Sequence, residues 1–348
     1  MKLLATIAVH VKGEAILRRP GLWEKIRKAF GGEPDLRTGR MRAALEAEAV
    51  VDAVRDALRS IGVANAVSLV VDDLVVFQDK DGRPDDLGDL FLAFHEHSAA
   101  IGAGFGALRL AVEHVEAGLH LVIEVQARTE HAAAEAAVRV IVSGRLRDLE
   151  PRRGEDADAY RARVAPLTRD RAALDVARAQ FESFVARVDG AIAMAMPEAR
   201  VETIKAEAQI VRPNRNGAER APEAPDPAGR HYDPYNAYYP SPMFSVLDTL
   251  MWVSIFSMMS HPHVVVVNQS GDTLGNADTP GVENAPDPTP AEAGGDAGDA
   301  GADHDGGDGG HHDTSGDLGG DAGGGDAGGF DIGGGDTFDV GGDFGGFD

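Results

Sequence analysis

The histidines are the first residues to consider, because imidazole nitrogens bind metal ions and exchange protons near neutral pH. His95 and His97 flank Glu96 in a segment that favours a helix. Residues two apart point about 200° apart around a helix, so this pair cannot hold one ion from one face. His114 and His120 flank a predicted hairpin turn, and its tight register places them on different faces of the sheet. We therefore predict that all four histidines are surface or boundary residues.

An oxygen-rich loop from Asp79 to Asp89 is a second candidate, because carboxylate oxygens bind calcium. Its Gly82 stands at the fourth position, whereas an EF-hand loop needs glycine at the sixth, and Pro84 interrupts the ligand series. We therefore predict an ordinary acidic turn. No serine lies in a nucleophile elbow and no Walker-type phosphate loop is present. The sequence thus predicts no catalytic residue, no metal ligand and no cofactor.

Charge is distributed unevenly along the 348 residues. Residues 1–230 contain 36 acidic and 33 basic side chains, whereas residues 231–348 contain 21 acidic and no basic ones. A polyanionic C-terminal third repels phosphate backbones, so we expect no nucleic-acid partner. The chain has no cysteine, which excludes disulfides, thiolate catalysis and cysteine-bound zinc and is typical of a cytoplasmic protein.

Residues 1–211 combine strand-like alternation with helix-like periodicity. They predict an α+β domain with a mainly antiparallel sheet packed against amphipathic helices, followed by a long disordered C-terminal region. Strands are predicted at 3–11, at 67–77 with a reversal at 72–73, at 108–127 as a hairpin, and at 201–211, where we expect the sheet to close. Amphipathic helices are predicted at 40–60, 129–142, 156–164 and 168–189.

The hairpin at 108–127 is the clearest local prediction, because apolar residues alternate on both arms. A two-residue turn at Ala117 and Gly118 places Val112 opposite Ile123, so the apolar sets of both arms share one face. A three-residue turn would put them on opposite faces. The pattern therefore favours the tighter turn.

Two segments near the C-terminus lack the composition of a folded core. Residues 212–242 are rich in Pro and Tyr, which predicts an extended connector rather than a packed element. Residues 268–348 are dominated by Gly and Asp and predict a disordered acidic tail. That tail either keeps the protein soluble or contains docking points at its phenylalanines, which are Phe330, Phe338, Phe344 and Phe347.

The most apolar run of the chain is 243–267. As a membrane-spanning helix it is short, about 17 residues, and it contains Asp248. As an amphipathic helix it is poor, because apolar residues surround its axis. We favour burial against a protein surface, either the domain's own or a partner's, with a helix that ends at Pro262 and a strand at 264–267. The candidate interaction residues are Phe244, Leu247, Leu250, Met251, Trp252, Ile255 and Phe256.

These patterns favour a non-enzymatic interaction or scaffold protein that uses residues 243–267 for association with itself or with a protein partner. The abundance of Ala, Arg, Gly and Asp is typical of a high-GC bacterial gene. One alternative is a single-pass membrane-anchored protein with a cytoplasmic N-terminal domain, since the basic residues all precede the apolar run. A second alternative is a metal-dependent enzyme that uses the histidines and the loop at 79–89. The sequence identifies no small-molecule ligand.

Overall fold

A nine-stranded sheet forms the centre of the described part of the chain. This computed structural model describes residues 1–11, 39–79, 105–129, 136, 138–213, 227, 229, 232–257 and 264–286. All of them belong to one unit, Met1–Gly294. The order of the strands is β3-β2-β4-β5-β6-β1-β7-β8-β9, and every described neighbouring pair except β7 and β8 is antiparallel. The predicted α+β class with a mainly antiparallel sheet is confirmed.

The strands and helices have the following bounds. The strands are β1 (Lys2–His10), β2 (Asn65–Val71), β3 (Leu74–Gln78), β4 (Ala107–Glu116), β5 (Leu119–Arg128), β6 (Val138–Leu146), β7 (Arg200–Val211), β8 (Val264–Val267) and β9 (Thr273–Asn276). The helices are α1 (Gly39–Ser60), α2 (Ala157–Val164), α3 (Arg171–Ala195), α4 (Pro234–Tyr238) and α5 (Met243–Ser257). The helices predicted at 40–60, 156–164 and 168–189 are confirmed as α1, α2 and α3.

The hairpin of β4 and β5 has the predicted turn and register. Ala117 and Gly118 adopt φ values of 52° and 78°, as the two central residues of a type I′ turn require. Val112 lies opposite Ile123, so the apolar residues of both arms share a face. The predicted reversal between β2 and β3 is also confirmed, with Asp72 at a φ of 52°.

The segment after β5 differs from the prediction. A helix over 129–142 was expected from the spacing of its apolar residues, but residues 138–146 form β6, which pairs with both β5 and β1. The β-branched side chains of Val138, Val140 and Val142 favour an extended backbone, and all three are buried on one face of the sheet. Their alternation fits a central strand better than it fits a helix.

One face of the sheet is apolar and lies beneath α1 and α3. Leu121, Ile123 and Val125 of β5 are fully buried there. The helices contribute residues such as Val54 and Phe181 to the same hydrophobic core. The buried apolar residues of this face belong to one continuous hydrophobic core.

The sheet continues past residue 211, where the sequence predicted the end of the domain. β8 pairs in parallel with β7, and β9 pairs with β8, so β7 does not close the sheet. Val264 and Val266 are buried in the common core. The predicted end of the sheet at 211 is therefore wrong, and the predicted disordered tail is wrong for residues 268–286. The predicted tail beyond 286, with Phe330, Phe338, Phe344 and Phe347, lies outside the described residues.

The residues Tyr232–Tyr239, here called the tyrosine segment, cover the second face of the sheet at β5 and β6. This segment includes α4, which contacts β5 and β6. Tyr232 and Tyr235 are 5% and 1% exposed. The prediction of an unpacked connector over 212–242 is therefore wrong for the tyrosine segment, whose hydroxyls and carboxylate bind groups on the strands below.

Candidate functional site

The apolar run at 243–267 packs largely on its own domain. Leu247, Met251 and Ile255 occupy the inner side of α5 and are at most 3% exposed. Between them, the Ser254 hydroxyl forms a 3.0 Å hydrogen bond with Thr168. The run thus supplies α5 and β8 to the core, which matches the predicted helix followed by a strand.

The other predicted interaction residues of α5 are only partly buried against the same core. They are Phe244, Leu250, Trp252 and Phe256. The rings of Trp252 and Phe256 lie 4.3 Å apart, and Val253, between them in the sequence, is 57% exposed. Ser245, Thr249 and Ser257 are exposed around them. We call Thr249, Trp252, Val253 and Phe256 the outer face of α5.

Among the helices that the described residues form, none has both the length and the apolar character needed to cross a membrane. The helix in the apolar run is α5, with 15 residues.

Beneath the tyrosine segment, His120 lies between two carboxylates. Its Nδ1 is 2.5 Å from Glu150 Oε1 and its Nε2 is 3.3 Å from Glu113 Oε2. Tyr235 donates its hydroxyl hydrogen to Glu150 at 2.7 Å, and Tyr239 donates to Glu113. These five side chains form a hydrogen-bonded group that joins the tyrosine segment to the sheet.

The protonation of this group follows from its surroundings. Burial alone would lower the pKa of His120, but the hydrogen bonds and charges of Glu113 and Glu150 raise it to about 9. The hydrogen bond from His120 lowers the pKa of Glu113, and it lowers the pKa of Glu150 despite the opposing effect of burial. At neutral pH the group is an imidazolium held between two carboxylates.

A second polar group surrounds Glu124, which is fully buried at the centre of β5. Its Oε2 accepts hydrogen bonds from Tyr232 at 2.9 Å and Tyr238 at 2.7 Å, and its Oε1 accepts one from Gln126 at 2.6 Å. Burial, reinforced by the Glu124 charge, raises the pKa of both tyrosines. Both hydroxyls therefore stay protonated and act as donors.

A third group is the buried ion pair of Arg145 and Asp233. Arg145 Nη2 lies 2.6 Å from Asp233 Oδ2, and the Ser143 hydroxyl donates to the other carboxylate oxygen at 2.6 Å. Lys2 Nζ lies 3.8 Å from the same carboxylate. Burial opposes ionisation, but the charges of Arg145 and Lys2 outweigh it and lower the pKa of Asp233 to about 2.

The structure separates the histidines that the sequence singled out. His114 stacks on Phe184 on the apolar side, while His120 lies on the polar side, so the prediction that they occupy different faces is confirmed. His95, His97 and the loop at 79–89, apart from Asp79, lie outside the described residues. The described residues contain no cluster of His, Asp and Glu that could hold a metal ion.

Sequence reasoning missed the polar groups, although a signal for them exists. In β5, polar His120, Glu124 and Gln126 alternate with buried apolar residues, and Arg139, Ser143 and Arg145 do the same in β6. A central strand with polar residues on one face needs a cover that supplies hydrogen bonds. The tyrosines clustered at 232–239 are that cover.

Fold and site together define an α+β protein with an extended, mainly antiparallel sheet, whose polar groups on β5 and β6 are covered by the chain's own tyrosine segment. No protein-family model matches the chain, and comparisons with characterised proteins and with solved structures also found no match.

Proposed function

We propose that this chain is a non-enzymatic interaction protein that self-associates through the outer face of α5. The observation that carries the proposal is the exposed Val253 beside the paired rings of Trp252 and Phe256 on a helix whose inner side is fully used by the core. Aromatic residues next to exposed apolar ones are typical of the centres of protein interfaces.

The chemistry of this face favours a second copy of the chain as the partner. A two-fold contact places the same patch of both copies together, so a charged patch would repel itself. The exposed positions along α5 are Ser245, Thr249, Val253 and Ser257, and none of them is charged. The outer face is therefore compatible with its own copy.

The state of His120 supports a non-enzymatic function. Both ring nitrogens are engaged by carboxylates, and the pKa of His120 is raised to about 9. A general base at neutral pH needs a free, neutral nitrogen. As part of the same proposal we place the protein in the cytoplasm, because a chain without cysteine does not depend on an oxidising compartment.

The proposal is tested by measuring the mass of the full chain in solution by light scattering over a range of concentrations. We expect the mass to rise above the 36.5 kDa of one chain as concentration increases. Val253→Glu places a charge in the centre of the outer face and should keep the protein at the mass of one chain.

Val176→Glu is the matched control, because Val176 is a helical valine on α3 with a nearly equal exposure of 55%. This variant should associate like the wild type. A wild-type mass of one chain at every concentration would refute the proposal. Equal losses of association in the Val253 and Val176 variants would also count against it, since the effect would then follow from added charge alone.

A further inference from the structure

A cleft lies beside the His120 group, between the β4–β5 turn and the loop that follows β6. It has a volume of about 420 Å³ and is lined by the turn residue Gly118 and by residues 147, 148 and 150–152, with Arg163 of α2 behind them. The backbone N–H of Arg147 donates to the Gly118 carbonyl at 2.9 Å, which fixes the loop to the turn. The cleft is therefore formed by two connected backbone segments.

Arg163 holds the loop in place from behind. Its guanidinium donates to the Glu155 carboxylate, and also to the backbone carbonyls of Asp148 and Glu150 at 2.5 and 2.7 Å. The Glu150 carboxylate is engaged by His120 and Tyr235. The wall of the cleft is thus pre-organised, and these charges are already paired.

Two other guanidinium groups line the cleft, those of Arg147 and Arg152, and both side chains are exposed. Their charges act on the nearby Glu150 and Glu155 carboxylates, but the side chains that hydrogen-bond those carboxylates are His120, Tyr235 and Arg163. Arginine binds phosphate and carboxylate groups with paired, charge-assisted hydrogen bonds. Asp148 also lines the cleft, and its carboxylate can accept a hydrogen bond from a hydroxyl or amino group.

We propose that this cleft binds a small organic molecule through a phosphate or carboxylate group held by Arg147 and Arg152. Its volume exceeds that of a simple oxyanion, which leaves space for a short organic part beside Asp148. This site is independent of the outer face of α5, so it stands whether or not the chain self-associates.

The test is calorimetric titration of the full chain with inorganic phosphate and, separately, with succinate, at constant ionic strength because salt screens such contacts. We expect saturable binding of at least one probe. Arg147→Gln combined with Arg152→Gln should weaken it about tenfold or more, since each lost contact is a charge-assisted hydrogen bond. The two probes distinguish a phosphate site from a carboxylate site.

Two further variants make the test specific. Asp148→Asn removes a negative charge from the cleft and should tighten binding of inorganic phosphate, the opposite direction from the arginine variant. Arg171→Gln changes an exposed arginine of α3 that pairs with Asp175 and should leave binding unchanged. The proposal is overturned if neither probe saturates, or if the Arg171 variant loses as much affinity as the cleft variant.

Discussion

The two faces of the central sheet are both buried at β5, but they are held by different forces. On β5, Ile123 points into an apolar core beneath α1 and α3, while its neighbour Glu124 points the other way into hydrogen bonds from the tyrosine segment. Both side chains are 0% exposed. Equal burial in the same strand thus requires apolar area on one side and complete hydrogen bonding on the other.

This difference determines what each face responds to. Burial of apolar area is non-directional and does not depend on pH. Buried charges cost free energy unless they are paired and hydrogen-bonded, so the polar face is sensitive to the loss of any one partner. We therefore expect the stability change caused by a substitution on the polar face to depend strongly on charge pairing and pH. The stability change caused by a substitution on the apolar face should depend on the side-chain volume that is added or removed.

The largest effect is expected from Arg145→Met. It leaves the buried Asp233 carboxylate without its closest cation, and breaking a buried pair in this way costs about 3–5 kcal/mol. The free energy of unfolding, measured by urea denaturation at pH 7, should fall by that amount.

The control for this variant is Arg161→Met, which breaks an exposed pair with Asp158 on α2. Exposed pairs contribute about 0–1 kcal/mol, so its loss should be small. If both variants lost similar stability, the claim that the polar face depends on buried pairing would fail.

The second effect is a fall in stability at alkaline pH that originates from His120. Its pKa is raised from an ordinary 6.5 to about 9 in the folded protein. A raised pKa stabilises the fold fully below pH 6.5, and this contribution is lost as the pH rises through 9. The shift corresponds to about 3 kcal/mol. Unfolding by urea at pH 6 and at pH 9.5 measures it.

His120→Gln should remove this part of the pH dependence, while every other titrating group is common to variant and wild type. Thr168→Val, which removes a buried hydroxyl that does not titrate, is the control and should keep the wild-type slope. The carboxylates Glu113 and Glu150 have lowered pKa values, so their contributions are lost only in acid, below this window. A wild-type slope in the His120 variant would show that the carboxylate pair does not hold an imidazolium.

The third prediction concerns the apolar face, where Gly144 of β6 lies beneath α3. An added Cβ would stand 2.8 Å from Leu121 Cδ2 and 3.4 Å from Phe181 Cδ2. Gly144→Ala should therefore cost about 1–3 kcal/mol through overpacking, equally at pH 6 and pH 9.5. Gly190→Ala on α3 meets no atom within 4 Å and should be neutral or stabilising. If the loss of stability in Gly144→Ala depended on pH, the expected difference between the two faces would be contradicted.

The apolar face could be predicted from the sequence because its signals are local. The alternation in β4 and β5 fixed both register and turn, and the helical periodicity of α1 and α3 located their apolar sides. The helix predicted over 129–142 was wrong for residues 138–142, because a short apolar run fits both the period of a helix and the period of a strand. Its pairing with β1, more than a hundred residues earlier, decides for the strand.

The polar face could not be predicted from local patterns. Glu124 and Tyr238 are 114 positions apart in the chain, and composition alone makes the tyrosine segment resemble a linker. For α5 the sequence indicated that the run must be buried but not where, since apolar residues surround its axis. The fold resolves this by burying Leu247, Met251 and Ile255 in its own core.

The smallest effect is expected from Tyr232→Phe, and its value lies in how it combines with Tyr238→Phe. Glu124 Oε2 keeps one tyrosine donor in either single variant, so the loss for Tyr232→Phe should be about 1 kcal/mol. The double variant leaves that buried oxygen with no tyrosine donor, so its loss of unfolding free energy should exceed the sum of the two single losses.

Tyr160→Phe is the control, because Tyr160 donates to the Leu149 carbonyl, away from Glu124. The stability lost in Tyr160→Phe should simply add to that lost in Tyr238→Phe. Simple additivity of the Tyr232 and Tyr238 variants would mean that the two hydroxyls do not act on one carboxylate.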